Sequence, residues 1–296
     1  MNIIITGSTG FVGTNLSQYF EDNHYKVHRL SLRGDWSSLP DAHGLIHLAG
    51  RAHDTGSTCE AEEYYRINTH LTVRLFDDFL SSDIRDFFYF SSVKAAADSV
   101  EGELDEEYTP NPKTPYGQSK LMAEEYILSK PLPDNKRVYI IRPCMIHGPG
   151  NQGNLNLLYK VVEKGIPWPL AAFENKRSFL SIDNLNFLID RMIHTDIPSG
   201  IYNFADDGYL STNDLVQTIG KTIGKKALLL KIPTSMVSFA ATIGDKLGLP
   251  LTTERLKKLT ENYIVSNRKI KETLAVSDLP YSIEESLEKT IKSFQK

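Results

Sequence analysis

The run Asn2-Ile3-Ile4-Ile5-Thr6, followed at once by Gly7-Ser8-Thr9-Gly10-Phe11-Val12-Gly13, constrains this chain more than any other stretch. A short β-branched apolar run reads as a buried strand. A helical pattern follows from Thr14 to Glu21. Strand, glycine-rich turn and helix in that order form the context in which spaced glycines read as a phosphate site. Gly7 permits the tight turn, Gly10 lets the backbone approach a pyrophosphate, and Gly13 lets the helix pack on the strand. Thr9, Phe11 and Val12 lie between them, where the helix N-terminus offers unpaired N–H groups to an anion. The alternative is a plain glycine-rich βα turn.

A second strand is expected over about Lys26 to Leu32. A dinucleotide-binding chain with an NAD preference places an acid near that strand's end, about 20 residues past the glycines, on the ribose 2′-OH. Here Arg33 holds the position and Asp35 comes two residues late. An arginine there suits a 2′-phosphate and tilts the cofactor from NAD toward NADP; a solvated surface charge is the alternative. The next strand, Gly44 to Ala49, follows too soon for a whole crossover, which takes about 10 to 12 residues. The usual third strand and its helix are therefore expected to be missing or shrunken. Trp36 either flanks an adenine or caps the core.

His47-Leu48-Ala49-Gly50 ends that strand with small residues that let a cofactor lie close, and His47 reads as a packed core residue. A long helix is expected from about Cys59 to Leu80, with Ile67, Leu71, Leu75, Phe76 and Phe79 on its apolar stripe. Asn68 on that helix could serve a backbone group near the nicotinamide or be an ordinary buried polar residue. Phe87 to Phe90 reads as a strand with Ser91, Ser92 and Lys94 after its carboxyl end, the edge where open α/β sheets bind ligands. Lys94 is either a substrate contact or a solvent-facing lysine.

Tyr116 and Lys120 stand four apart, on one side of a helix. Free tyrosine titrates near pH ~10. Bringing it down three units takes roughly 4 kcal/mol at ~1.4 kcal/mol per unit. One ammonium at about 4 Å supplies that much at an effective dielectric near 20. The pair alone could make a general acid/base near neutral pH; a chance Tyr–Lys spacing is the alternative.

With 33 Lys+Arg against 37 Asp+Glu in 296 residues, and a net charge of -4, the chain carries no nucleic-acid footprint. Two cysteines, Cys59 and Cys144, make neither a disulfide framework nor a zinc spacing, so a reducing, cytoplasmic compartment is expected and no metal. No run of about 18 apolar residues predicts a membrane span. Met236 to Leu251 comes nearest, broken by Asp245, Lys246 and Pro250. It reads as an amphipathic or buried helix, with surface contact to a membrane as the lesser alternative.

The glycine turn, His47-Leu48-Ala49-Gly50, Ser91-Ser92, Tyr116-Gly117-Gln118-Ser119-Lys120, Arg142-Pro143, His147-Gly148-Pro149-Gly150, Asn154-Leu155 and Arg177-Ser178-Phe179 stand in one order. Together they resemble the extended short-chain dehydrogenase/reductases of the nucleotide-sugar epimerase/dehydratase group, over nearly the whole chain. The resemblance implies an α/β fold: a Rossmann-type doubly wound parallel sheet with a smaller mixed α/β substrate domain. Residues 1–150, with 180–205 returning, would bind the dinucleotide; 151–179 and 206–296 would bind substrate. It implies Tyr116 as proton carrier, Lys120 as its partner and a ribose ligand, and Ser92 orienting the reacting oxygen. Gly7, Gly10 and Gly13 would hold the pyrophosphate, and Pro143 with Cys144 would border the nicotinamide carboxamide. Asn154, with Leu155 beside it, and Arg177 would hold the sugar nucleotide's diphosphate. A homodimer through the helices near 59–80 and 115–130 is also implied.

Three departures from the family pattern stand out. Gly50 replaces a more usual alanine, Ser178 replaces an aspartate, and a second late arginine has only Arg255 and Arg268 as candidates. The expected reaction is hydride transfer at C4 of a nucleotide-linked hexose. Arg33 leans it toward a 4-ketoreductase over a 4-epimerase with retained NAD. A non-catalytic dinucleotide-binding regulator is the rival from another class.

Overall fold

A computed structural model describes residues 1–34, 36, 38–51, 60–151, 153–248 and 251–295. Asp35 and Cys59 lie outside the described residues.

Six parallel strands form the main sheet: β1 (Asn2–Thr6), β2 (Lys26–Leu30), β3 (Gly44–His47), β4 (Asp86–Phe90), β6 (Arg137–Pro143) and β9 (Gly200–Phe204). Their order is β2-β1-β3-β4-β6-β9. The two-residue β5 (Glu103–Leu104) lies outside this sheet. No strand lies beyond β2 among the described residues, as the short spacing to Gly44 predicts. Alternation splits the isoleucines of β1. Ile3 and Ile5 join one core with Phe88, Tyr139 and Leu185, and Ile4 joins the other with Leu45, Phe76 and Phe87. Both faces are covered, which is why β4 and β6 are buried at every residue.

Helix α1 (Phe11–Asp22) packs on the first face against α6 (Ile182–His194). The second face is covered by a helix that begins as α2 (Ala61–Tyr64), passes through a π-helical turn (Tyr65–His70) and ends as α3 (Leu71–Leu80). Beside it lies α4 (Pro115–Ser129), which starts on a proline with Thr114 as its cap.

The second lobe is built from short pieces. In chain order they are β7 (Met145–His147), α5 (Asn154–Glu163), β8 (Phe179–Ser181), α7 (Thr212–Thr222), α8 (Thr234–Leu247), α9 (Thr253–Thr260), β10 (Ile264–Val265), α10 (Arg268–Leu274) and α11 (Ile283–Ser293). Ser211–Asp214 and Ser282–Glu285 make complete capping boxes on α7 and α11. A separate core gathers Leu158, Trp168, Phe179, Ile219, Val237 and Leu287. The 166–173 segment covers that core rather than standing open: Trp168 and Leu170 are buried, and both bond the 228–231 backbone. Tyr263, Val265, Ile270 and Leu274 leave this lobe and pack into the first core.

Candidate active site

The glycine turn is shaped by close approaches. Gly7 has φ +67, and a Cβ there would lie 2.6 Å from Ala49 N. A Cβ on Gly13 would lie 2.2 Å from the Gly7 carbonyl. At Gly10 the nearest atom is the Gly7 oxygen at 3.4 Å, so space is left on the outer side of the turn. Helix α1 begins there with no side-chain cap. Its first N–H groups and its positive end face that space, which is what a pyrophosphate requires. Thr9 is exposed and Phe11 and Val12 half-buried at the same end. The residues present fit a dinucleotide.

A hydrogen-bond chain holds the neighbouring edge in place. The Ala49 N–H donates to Thr6 Oγ1 at 3.1 Å, and Thr6 Oγ1 meets His47 Nδ1 at 2.7 Å. His47 Nε2 meets Thr72 Oγ1 at 2.8 Å, which itself donates to the Asn68 carbonyl. The neighbours fix the tautomer: Nδ1 accepts from Thr6 and Nε2–H donates to Thr72. Burial, and then the Lys120 charge, push the imidazole down to about 3. His47 is therefore a neutral core residue, as expected. Leu48 and Ala49 sit half-buried between this chain and the glycine turn.

Asn68 sits in the π-helical turn, fully buried. Its Oδ1 accepts from Arg51 N at 2.7 Å, and its Nδ2 donates to the Arg51 carbonyl and to Ser119 Oγ. It fastens the loop after β3 to α4. Gly50 lies inside this clasp. A Cβ there would be 3.0 Å from Asn68 Oδ1 and 3.2 Å from Lys120 Nζ, so the glycine that stands in place of the more usual alanine gives both side chains room.

Helix α4 aligns Tyr116, Lys120 and Glu124 at four-residue intervals on one face. Tyr116 is half-buried, lies beside Ser92, and meets the Tyr64 ring edge-on at 6.0 Å. Lys120 is 5% exposed, and its Nζ donates to the Phe90 carbonyl at 2.8 Å. Ser92 and Tyr116 thus come together, with Lys120 one turn along, at the carboxyl end of β4.

The electrostatics differ from the sequence expectation. Burial raises the Tyr116 phenol above its ordinary value, with only the Ser92 hydrogen bond opposing it. Lys120 is itself pushed down to about 8 by burial, and Glu124 pulls it back up. Desolvation of both groups outweighs the attraction assumed between them.

Several expected site residues have other engagements. Ser91 directs its hydroxyl to Glu124, not to a cofactor. Glu124 also takes the Arg142 guanidinium, Nε at 3.0 Å, both side chains being 1% exposed. Leu155 is 4% exposed and packs in the second core, so its side chain is no substrate contact. Asn154 opens α5, but its side chain lies outside what is described. Lys94 donates to the Asp98 carbonyl at 2.6 Å and stacks over the Tyr263 ring, so it is neither solvated nor free of structural duty. Arg33 is exposed just past β2.

Pro143 closes β6 and is followed by the buried Cys144. Burial and Asp206 push the Cys144 thiol well up, and Arg177 opposes them. Arg177 is half-buried, its own value lowered by desolvation, with Glu261, Cys144 and Tyr263 holding it up. Its backbone bridges Leu210 and Tyr263. Arg177 thus lies in the electrostatic surroundings of Cys144. Sequence reading missed Glu124 and Tyr263. Glu124 continues the Tyr116–Lys120 spacing and was open to notice; Tyr263 gives no local signal. No cluster of three or more metal-ligating side chains exists among the described residues.

Residues 3–205 match the model of the NAD dependent epimerase/dehydratase family. A Vibrio cholerae protein named UDP-glucose 4-epimerase is 29% identical over 99% of this chain and 95% of its own. The N-acetyl-alpha-D-glucosaminyl-diphospho-ditrans,octacis-undecaprenol 4-epimerase of Escherichia coli O157:H7 is 23% identical over 98% of this chain and 94% of its own. The GDP-6-deoxy-D-mannose reductase of Pseudomonas aeruginosa is 24% identical over 79% and 84%. Among solved structures, MoeE5 in complex with UDP-glucose and NAD superposes with a TM-score of 0.78 at 18% identity, over 100% of this chain and 99% of that one.

Proposed function

The chain belongs to the NAD dependent epimerase/dehydratase family, and we propose that it moves hydride at C4 of a diphosphate-linked hexose, through Ser92, Tyr116 and Lys120. The observation that carries this reading is the placing of Ser92 beside Tyr116 at the carboxyl end of β4, with Lys120 one helical turn away. A nicotinamide dinucleotide, when bound, gives or takes the hydride. The Gly7–Gly13 turn and the α1 N-terminus would hold its pyrophosphate, Lys120 its ribose, and Pro143 and Cys144 would border its carboxamide.

Tyr116 carries the proton of the C4 oxygen. Ser92 donates to the same oxygen and stabilises the charge that grows on it. Lys120 keeps a positive charge behind the phenol, aided by Glu124. Arg177 takes the diphosphate, a geometry guanidinium matches with paired hydrogen bonds.

One observation favours reduction of a C4 ketone. Arg33 stands exposed past β2, where a 2′-phosphate would lie. The second reading, a 4-epimerase that retains NAD, is favoured by the full-length match to the V. cholerae epimerase. The E. coli relative widens the substrate class to a sugar carried on a lipid diphosphate. We further read the chain as a cytoplasmic homodimer, with Met122 and Leu128 exposed on α4 as its contact; the mass from light scattering checks this.

The test is to denature purified protein and identify the nucleotide released, then supply NADPH with a 4-keto nucleotide sugar. Oxidation of NADPH by protein free of bound nucleotide is the expected result. Released NAD with interconversion of C4 epimers would move the assignment to the second reading. Neither activity would sink both.

A further inference from the structure

Helix α8 carries apolar side chains on two separate faces. Val237, Ala241 and Gly244 are buried against the second core. On another side, Met236, Phe239 and Leu247 stand 61%, 69% and 68% exposed, with Ile243 at 38%. At 100° per residue these four fall within an arc of roughly 80°. The strand-like segment that precedes α8 adds Leu228 and Leu230, 46% and 47% exposed, while Leu229 between them packs inward. That segment bonds the Trp168 and Ala171 backbone of the same lobe that carries Arg177. Single exposed apolar residues need no explanation, but four on one stripe of one helix mark a contact surface.

The charge around this face says what the contact is. Between Lys225 and Lys257 the sequence has six Lys/Arg and two acids, in a chain whose net charge is -4. Lys226, Lys231, Lys246 and Lys257 are exposed. The acid on α8, Asp245, is engaged at the start of α9, accepting from Thr253 N at 3.0 Å and Thr253 Oγ1 at 2.7 Å. A 14-residue helix is about 21 Å long at 1.5 Å per residue, short of the roughly 30 Å needed to span a bilayer core. An apolar stripe with Lys246 beside it, on a helix of that length between lysine-bearing segments, suits a helix lying in a membrane interface.

We propose that α8 and Leu228–Leu230 form a docking surface for the anionic face of a lipid bilayer. Seated there, the second lobe meets sugars carried on a membrane lipid's diphosphate. That last clause rests on the substrate reading above; the docking itself does not.

The test is flotation of the full chain with vesicles of phosphatidylethanolamine and phosphatidylglycerol, against vesicles of phosphatidylcholine alone. Wild type should float with the anionic vesicles and release as salt rises. Met236→Ser/Phe239→Ser/Leu247→Ser should lower the bound fraction at least about tenfold, with NADPH binding unchanged as proof of folding. Lys226→Glu/Lys246→Glu should weaken binding to anionic vesicles alone. Wild type that stays at the bottom of the gradient would overturn the proposal. So would a dimer that the triple-serine variant splits without any vesicle binding, since a second copy would then be the cover. Vesicle binding with neither reduction of a 4-keto sugar nor interconversion of C4 epimers, on a nucleotide or a lipid diphosphate, would retain the docking surface and discard the substrate reading.

Discussion

The sheet half and the second lobe dispose of their apolar residues in opposite ways. In β1, β4 and β6 nearly every side chain is inside, and two helical layers close both faces. In the second lobe Leu228, Leu230, Met236, Phe239 and Leu247 stay outside. The first half keeps an ion pair deep, with Glu124 and Arg142 each 1% exposed. Its core is completed by Tyr263, Val265, Ile270 and Leu274 from the second. On the reading proposed above, proton transfer belongs to the closed half, and the sugar's diphosphate and the bilayer to the open one.

That division can be broken at Tyr116. Tyr116→Phe should lower kcat by about 10²–10⁴-fold, with the urea midpoint and NADPH affinity unchanged; turnover that survives would remove the proton carrier from the closed half. Glu124→Gln leaves the Arg142 charge buried without its partner and should cost about 3–5 kcal/mol in urea unfolding. It should also move the alkaline limb of kcat/KM downward, because Glu124 holds the proton on Lys120. Arg177→Ala probes the other lobe. Losing a charge-assisted contact of about 1.5–3 kcal/mol should raise KM about 10–100-fold, with cofactor affinity unmoved. Equal losses in both would blur the division.

A further effect, on stability alone, is in pH dependence. The folded imidazole of His47 is held down to about 3, below its ordinary 6.5. Between those values the unfolded chain binds a proton that the folded one refuses. Stability is therefore full above pH 6.5 and falls toward pH 3, by up to about 1.4 kcal/mol per unit from this group. His47→Asn should flatten that part of the urea-unfolding profile.

Much of the closed half was legible because its signals are local. Three isoleucines, a glycine turn and a four-residue Tyr–Lys spacing each act within a few residues, and the short gap before Gly44 announced the missing strand. The direction of the Tyr116 shift was not legible, since it depends on burial by Tyr64 and neighbours far along the chain. Leu155 misled because its place in the core is set by α7 and α11, not by its own segment. The open lobe was hardest to read: Arg177 is held by bridges to Leu210 and Tyr263, which no spacing rule connects.

Tyr263 reaches from that lobe to donate its hydroxyl to the Val93 carbonyl at 3.1 Å and the Ala97 carbonyl at 2.6 Å. Those carbonyls belong to the turn that Ser92 begins. The lobes therefore cannot hinge apart without either tugging the serine out of line or breaking those bonds, so the placing of the second lobe and the aim of the hydroxyl are geared to one another.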